Sequence, residues 1–311
     1  MLLNTLENGN LEENSKSVLR RYLNKQINGT AHPTDLWESF EGFASIPLDK
    51  SIEEVMDTWT NQPGYPVVNA TLVNSVLTLT QERFLMHKST SNNEFYWIPI
   101  HVVKSQDFID QSYNPMKDNY IIINSTGTIW LGSKPERINI NPNNEWLIVN
   151  YKQTGFYRVN YDTASWLRLI NQLNSQQFDS IHVLNRAQII DDLFNLARAT
   201  YVEYELVLNA SRYLIRETNH LPWKAFFNGL SYVYERFEEQ NDYQNNLKRY
   251  IWNIISTMYN NTEFDDYDDD TLLDRLNREM ILQWACKLNI LECVSKSINL
   301  FATWRNGTLK R

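Results

Sequence analysis

Apolar residues along this chain follow two periods, and the change between them falls at Gln62-Pro63-Gly64-Tyr65-Pro66. Before it the period is helical. Ser15–Ile27 places Val18, Leu19, Tyr22, Leu23 and Ile27 on one face, and Asn28-Gly29 ends that helix. Thr34 is the expected cap of a second helix, with Trp37 and Phe40 on one side. Ser51-Ile52-Glu53-Glu54 reads as a capping box for a third, whose apolar face is Val55, Met56 and Trp59. Two prolines around a glycine do not continue a helix.

After the break the pattern shortens. Val67–Leu79 is rich in Val, Thr and Leu and partly alternates. Phe95–Val103 reads as a strand with Pro99 at an edge or bulge. Tyr120–Asn124 and Thr128–Gly132 flank a turn at Ser125-Thr126-Gly127. Glu145–Tyr151 and Phe156–Tyr161 flank another at Gln153-Thr154-Gly155. Short runs separated by polar turns predict a small antiparallel β-sandwich. From Thr163 the helical period returns. Helices are expected over Thr163–Leu173, Ile181–Ala199, Val202–Glu217, Trp223–Phe237, Tyr243–Tyr259, Thr271–Leu288 and Leu291–Trp304, with Pro222 just before the fourth. Short loops and one-sided aromatics predict an array of helical hairpins, although no strict repeat period is present.

Composition narrows the class. A length of 311 residues accommodates two or three domains. The net charge of −8 argues against a nucleic-acid partner, which calls for a basic patch. No run approaches the roughly 18–20 apolar residues that span a bilayer. The first residues lack the basic and apolar regions of a signal peptide, so the chain as written is expected to have no route of its own into the secretory pathway. Six Asn-x-Ser/Thr sequons point the other way, at Asn28, Asn69, Asn124, Asn209, Asn260 and Asn306. Cys286 and Cys293, seven apart, leave open a bridge across a helical hairpin and a pair of buried free thiols.

The usual signatures of chemistry are missing. None of the five histidines begins a His-Glu-x-x-His zinc helix. Gly127–Lys134 has the Lys and Ser of a phosphate loop in the wrong order. Glu263–Asp270 is acidic, but a calcium loop starting at Asp266 needs Gly where Thr271 stands and Glu where Asn277 stands. A solvated loop between helices is the better reading. Asp191 and Asp192 point about 100° apart on a helix, so they are expected to pair locally.

Longer stretches carry a resemblance. Trp59–Val67 (WTNQPGYPV), Thr154–Asp162 (TGFYRVNYD), Asn185–Arg198 (NRAQIIDDLFNLAR), Glu217–Trp223 (ETNHLPW) and Trp284-Ala285-Cys286 with Cys293 resemble, in order, the zinc aminopeptidases of the aminopeptidase N type. The Asn-rich style resembles an insect member. The resemblance implies three parts: residues 1–62 as the last helices of a thermolysin-like catalytic domain, 63–162 as the β-sandwich, and 163–311 as part of a superhelical C-terminal domain. It implies a disulfide between Cys286 and Cys293 in extracellular members, and a place outside the cell or at its surface, with a membrane reached only through segments absent here. It implies peptides as substrates and zinc as the family's metal.

No position of this chain matches the family's zinc ligands, catalytic Glu or transition-state Tyr. Catalytic, cofactor-binding and metal residues are therefore expected to be none, and the chain inactive alone, working beside a missing catalytic half. The alternative is a catalytically dead paralogue that binds peptides or a partner. Tyr157, Arg158 and Tyr161 are expected to pack at a domain junction.

Overall fold

A computed structural model describes residues 11–42, 46, 49–87, 94–105, 129–140, 146–237 and 242–307, with side chains from residue 16 onward. The expected strand Tyr120–Asn124 and the turn after it lie outside these residues. The chain divides into two compact units, one of residues 1–172, 180–185 and 198–202, the other of 173–179, 186–197 and 203–311.

The first unit opens with α1 (Leu11–Lys25), α2 (Pro33–Ser39) and α3 (Ile52–Thr60). The start of α2 departs from the expected Thr34 cap. Pro33 takes the first helical position, where its missing N–H costs nothing, so the cap moves to His32, whose N–H donates to the Asp35 carboxylate at 2.7 Å. The box on α3 forms as read: Glu54 N–H donates to Ser51 Oγ and Ser51 N–H to Glu54 Oε2. Val18, Phe40 and Ile52 make a small core, with Leu36, Trp37, Ile46 and Met56 around it. Leu19 and Leu23 of α1 are 47% and 62% exposed, and Ile27, just past its end, 65%. The end of α3 is tied to the strand region: Trp59 Nε1 donates to the Trp97 carbonyl at 2.8 Å, and Trp97 N–H donates to Thr58 Oγ1.

Val67–Leu79 falls in a hairpin. Strands β1 (Pro66–Val73) and β2 (Val76–Arg83) turn at Asn74 and Ser75, both with positive φ, the geometry that matches strand twist. Phe95–Val103 breaks at His101 into β3 (Ile98–Ile100) and β4 (Val102–Lys104), which pair with β5 (Ile129–Leu131) and β7 (Leu147–Val149). Between these comes β6 (Glu136–Asn139), a strand the pattern did not reveal because Ile138 is its one buried residue. The last strand is β8 (Arg158–Tyr161).

The largest sheet has the order β6-β2-β1-β8. Here the antiparallel expectation is corrected: β1 and β8 run parallel, with Val67 opposite Arg158 and Ala70 opposite Tyr161. A parallel partner arrives by a long connection, never by a hairpin. Gln81 links this sheet to the next, its Nε2 donating to the carbonyls of Tyr96 and Gly132 at 2.6 and 2.8 Å.

Helices follow: α4 (Thr163–Asn174), α5 (Val183–Arg198), α6 (Tyr204–Ser211) running into a 3₁₀ turn at Arg212–Arg216, α7 (His220–Tyr234), α8 (Asp242–Asn260), α9 (Leu272–Lys287) and α10 (Leu291–Arg305). Within the second unit α9 packs against α7, α8 and α10, and α8 against the 3₁₀ turn. Pro222 lies inside the first turn of α7 and not before it. Asn219 caps the helix by accepting the Leu221 N–H, and first-turn residues have no intrahelical acceptor to reach. Trp223, Phe226, Phe227 and Leu230 of α7 are all buried, each contributing about 1.5–3 kcal/mol of apolar transfer. The described residues are mostly helical with small sheets. No described helix is long and apolar enough to cross a membrane.

Candidate functional site

The residues that singled this sequence out gather at structural pivots. Asn150, at the end of β7, has φ of 67°, a left-handed conformation that Asn tolerates better than most side chains. Its carboxamide is fully used: Oδ1 accepts the Gly155 N–H at 2.8 Å, while Nδ2 donates to the carbonyls of Gly155 and Tyr157. Gly155 is required there, since a Cβ would stand 2.2 Å from the Tyr157 ring. Asn185, at the start of α5, grips the same turn from outside, accepting the Lys152 N–H and donating to the Asn150 carbonyl. Two buried asparagines thus set the path from β7 to β8. The pattern of residues puts the turn at Gln153-Thr154-Gly155, and the one local sign of Asn150 is an Asn at the end of an apolar run.

Beyond the turn, Arg158 Nε donates to the Tyr65 hydroxyl, and its guanidinium lies over the rings of Tyr65 and Phe84. The Tyr161 hydroxyl accepts the Val149 N–H at 2.9 Å, and its ring meets Trp166 edge-on. Asp162 caps α4 by accepting from Ser165 N–H and Oγ, and also takes the Leu72 N–H. Burial alone raises the Asp162 pKa, but these hydrogen bonds outweigh it and hold the carboxyl below its ordinary value. These contacts all lie within the first unit.

The second unit holds a buried ion pair. Arg186 Nε meets Glu217 Oε2 at 2.7 Å, and Arg186 Nη2 meets Oε1 at 3.1 Å. Glu217 Oε1 also accepts the N–H groups of Thr218 and Asn219, and the Glu217 carbonyl accepts Trp223 Nε1. The Arg186 and Arg216 guanidiniums each lie 5.2 Å from the Phe178 ring centre. Tyr213, fully buried beside the pair, has its phenol pushed well up by burial and then by the charge of Glu217. Trp223 stacks on Phe227, and Phe227 on Trp284, 5.0 Å between centres. The motifs ETNHLPW and Trp284-Ala285-Cys286 thus belong to one aromatic and polar core.

Cys286 and Cys293 are bonded to each other, joining the last turn of α9 to the first of α10. The turn between reverses at Asn289, φ 62°, whose N–H donates to the Cys286 carbonyl. Asp191 and Asp192 pair locally, the first with Asn195 and the second with Gln188. The acidic run Glu263–Asp270 forms the loop between α8 and α9, and Arg278 bridges Asp266 and Asp270 at 2.6 and 2.7 Å. His101 is buried, and burial lowers its pKa; His220 is lowered by burial and by Lys224. Among the described residues no three His, Cys, Asp or Glu side chains converge on a point where a metal ion would sit.

Of the sequons, Asn28, Asn260 and Asn306 are exposed, at the ends of α1, α8 and α10. Asn69 and Asn209 are half-buried, in β1 and α6, and Asn124 lies outside the described residues.

Comparison with known proteins places this core. The profile of the ERAP1-like C-terminal domain matches residues 146–310. The chain belongs to that family. It is C-terminal sequence of an aminopeptidase N family member. Human glutamyl aminopeptidase is 31% identical over 99% of this chain and 30% of its own length. Aminopeptidase N of Plutella xylostella is 32% identical over 94% of the chain, and aminopeptidase Ey of Gallus gallus 32% over 95%. The chain spans about 30% of the length of these curated relatives. The helices α5 to α10 are therefore those of an ERAP1-like C-terminal domain, and Arg186, Glu217 and Trp284 are parts of its core.

Proposed function

We propose that this chain is the C-terminal region of a zinc metalloaminopeptidase that releases N-terminal residues from peptides outside the cell or at its surface. On this reading residues 1–62 are the last helices of a thermolysin-like catalytic domain. Residues 63–162 form a β-sandwich, and 163–311 form part of a superhelical domain that shapes the space over the active site. Zinc, the metal-bound water and the groups that hold the substrate's free amine belong to a catalytic half. The chain itself supplies scaffold and is inactive alone.

The observation that carries this reading is the match of nearly the whole chain to glutamyl aminopeptidase. The destinations of the motif residues support it. Asn150, Asn185, Arg186 and Glu217 all spend their polar atoms on architecture. The exposed Leu19 and Leu23 on α1, with Ile27 just past its end, support a further surface packed against the first helices.

The test is biochemical. The purified chain is assayed with zinc on a panel of aminoacyl reporter substrates, and its metal content is measured by elemental analysis. Neither hydrolysis nor stoichiometric zinc is expected. One zinc per chain together with turnover overturns the reading.

A second reading is a catalytically dead paralogue that binds peptides or a partner protein. It is favoured by the apolar row Leu291, Ile298, Phe301 and Trp304 on α10, each more than half exposed. Sequencing of the transcript decides between the two: an in-frame upstream segment encoding a His-Glu-x-x-His helix eliminates the second.

A further inference from the structure

The sequons are not equivalent once folded. Asn28 closes α1 with φ of 60°, and it, Gly29 and Thr30 are all exposed. Asn260 is the last residue of α8, also exposed, followed by exposed Asn261. Both residues stand exposed at helix ends, where a bulky polar adduct has water beside it.

Asn69 stands in the middle of the four-stranded sheet, directly opposite Asn160 of β8. Its carboxamide is one rung of a polar ladder across three strands. Trp166 Nε1 donates to Asn160 Oδ1, Asn160 Nδ2 donates to Asn69 Oδ1, and Asn69 Nδ2 donates to Glu82 Oε1. Trp166 is 1% exposed, so this ladder anchors a buried ring. A sugar on Asn69 Nδ2 replaces one of its two hydrogens and must find room between Glu82 and Asn160, crowding the ladder.

Asn209 is confined differently. Asn174 Nδ2 donates to its carbonyl, the Tyr250 hydroxyl donates to the adjacent Leu208 carbonyl at 2.7 Å, and Ser211 of the same sequon is wholly buried.

We propose that the folded protein carries N-linked glycans at Asn28 and Asn260 and none at Asn69 or Asn209. The inference rests on the extracellular reading above, which the Cys286–Cys293 bond favours because disulfides persist in oxidising compartments. The donor is an oligosaccharide held through its C1 on a lipid diphosphate. The Asn Nδ2 attacks C1, the C1–N bond forms as the C1–O bond breaks, the lipid diphosphate leaves with the electron pair, and one Nδ2 proton passes to a base. No oxidant or reductant takes part. Transfer precedes folding, so the structure acts as a filter: a chain modified at Asn69 or Asn209 does not reach this fold. Asn124 and the Thr308 that completes the Asn306 sequon lie outside the described residues, and the assignment uses neither.

The experiment is peptide mass spectrometry on the full chain secreted from eukaryotic cells behind an added leader. Glycans are released by the amidase that converts glycosylated Asn to Asp in ¹⁸O water, and free thiols are alkylated beforehand. Labelled Asp is expected at 28 and 260, with unlabelled Asn at 69 and 209 and no alkylation of Cys286 or Cys293. A glycan at Asn69 or Asn209 in monomeric, protease-resistant protein overturns the assignment. So does an unmodified Asn260 in a chain whose disulfide is formed. Alkylatable cysteines with no glycan anywhere overturn the extracellular reading and the assignment together. As a check on the filter, Thr71→Ala, which removes the Asn69 sequon at an exposed position and leaves the ladder in place, is expected to secrete at no less than the level of the parent, whereas Asn28→Gln and Asn260→Gln each lose one amidase-sensitive gel shift.

Discussion

Arg186 and Glu217 meet through two parallel contacts, Nε to Oε2 at 2.7 Å and Nη2 to Oε1 at 3.1 Å, in a site from which both side chains are almost excluded from water. The carboxylate also satisfies two backbone N–H groups at the start of α7. The pair therefore fixes where α7 begins relative to α5. Arg186→Met leaves a buried carboxylate uncompensated and is expected to cost about 3–5 kcal/mol. Replacing both residues by apolar ones of similar volume is expected to cost less than Arg186→Met alone. Urea titrations of the two variants check this, and equal or additive losses contradict the pairing.

Gly229 in α7 reverses an ordinary rule. Gly→Ala in a helix normally stabilises by roughly 1 kcal/mol. Here the new Cβ stands 2.2 Å from Phe194 Cγ and 2.6 Å from its Cβ, and Phe194 is itself buried. Gly229→Ala is expected to destabilise by about 1–3 kcal/mol. Combined with Phe194→Leu, part of the loss is expected to return. A stabilised Gly229→Ala protein in thermal melts refutes the close approach.

The disulfide closes a short loop between α9 and α10. The chain-entropy relation for a loop of this length gives about 2.5 kcal/mol. Cys286→Ala with Cys293→Ala is expected to lose that amount while keeping the helical circular dichroism. Hydrogen exchange is expected to quicken first in α10. Uniform quickening throughout the second unit contradicts a local role.

Acid sensitivity is expected below neutrality. Burial lowers the pKa of His101 in the fold, and burial with Lys224 lowers that of His220, while both titrate near 6.5 when unfolded. The unfolded chain then binds more protons, so stability is fully present above about pH 6.5 and declines as pH falls toward the folded values. Denaturation free energy measured from pH 7 to 5 is expected to slope downward. His101→Phe is expected to remove part of that slope, with the rest following His220. An unchanged slope in both single variants locates the titration elsewhere.

Much of this architecture was legible in the residues, for local reasons. The helices of α4 to α10 follow from apolar spacing, and the Ser51 box from four adjacent residues. What escaped depends on partners far along the chain. Glu136–Asn139 carries one buried residue and becomes a strand because β2 offers an edge. The parallel direction of β8 is set by β1, about ninety residues earlier. His101 interrupts an apolar run because β3 and β4 serve different partners. Arg186 and Glu217, 31 residues apart, gave no local signal, while Asp191-Asp192 drew attention by adjacency and proved ordinary. The motif residues were conspicuous as a resemblance, and their work became visible only as hydrogen bonds.

The parallel pairing of β1 with β8 sets a schedule for synthesis. Val67 leaves the ribosome 91 residues before its partner Arg158. At 5–20 residues per second this is a delay of about 5–18 s. Through that interval the β1 side of the β1–β2 hairpin presents an unpaired backbone edge, with Val67 and Val68, both buried in the finished fold, beside it. The first unit therefore closes late, when β8 has emerged, and chaperone occupancy of the nascent chain is expected to fall at the point where Tyr161 clears the exit tunnel.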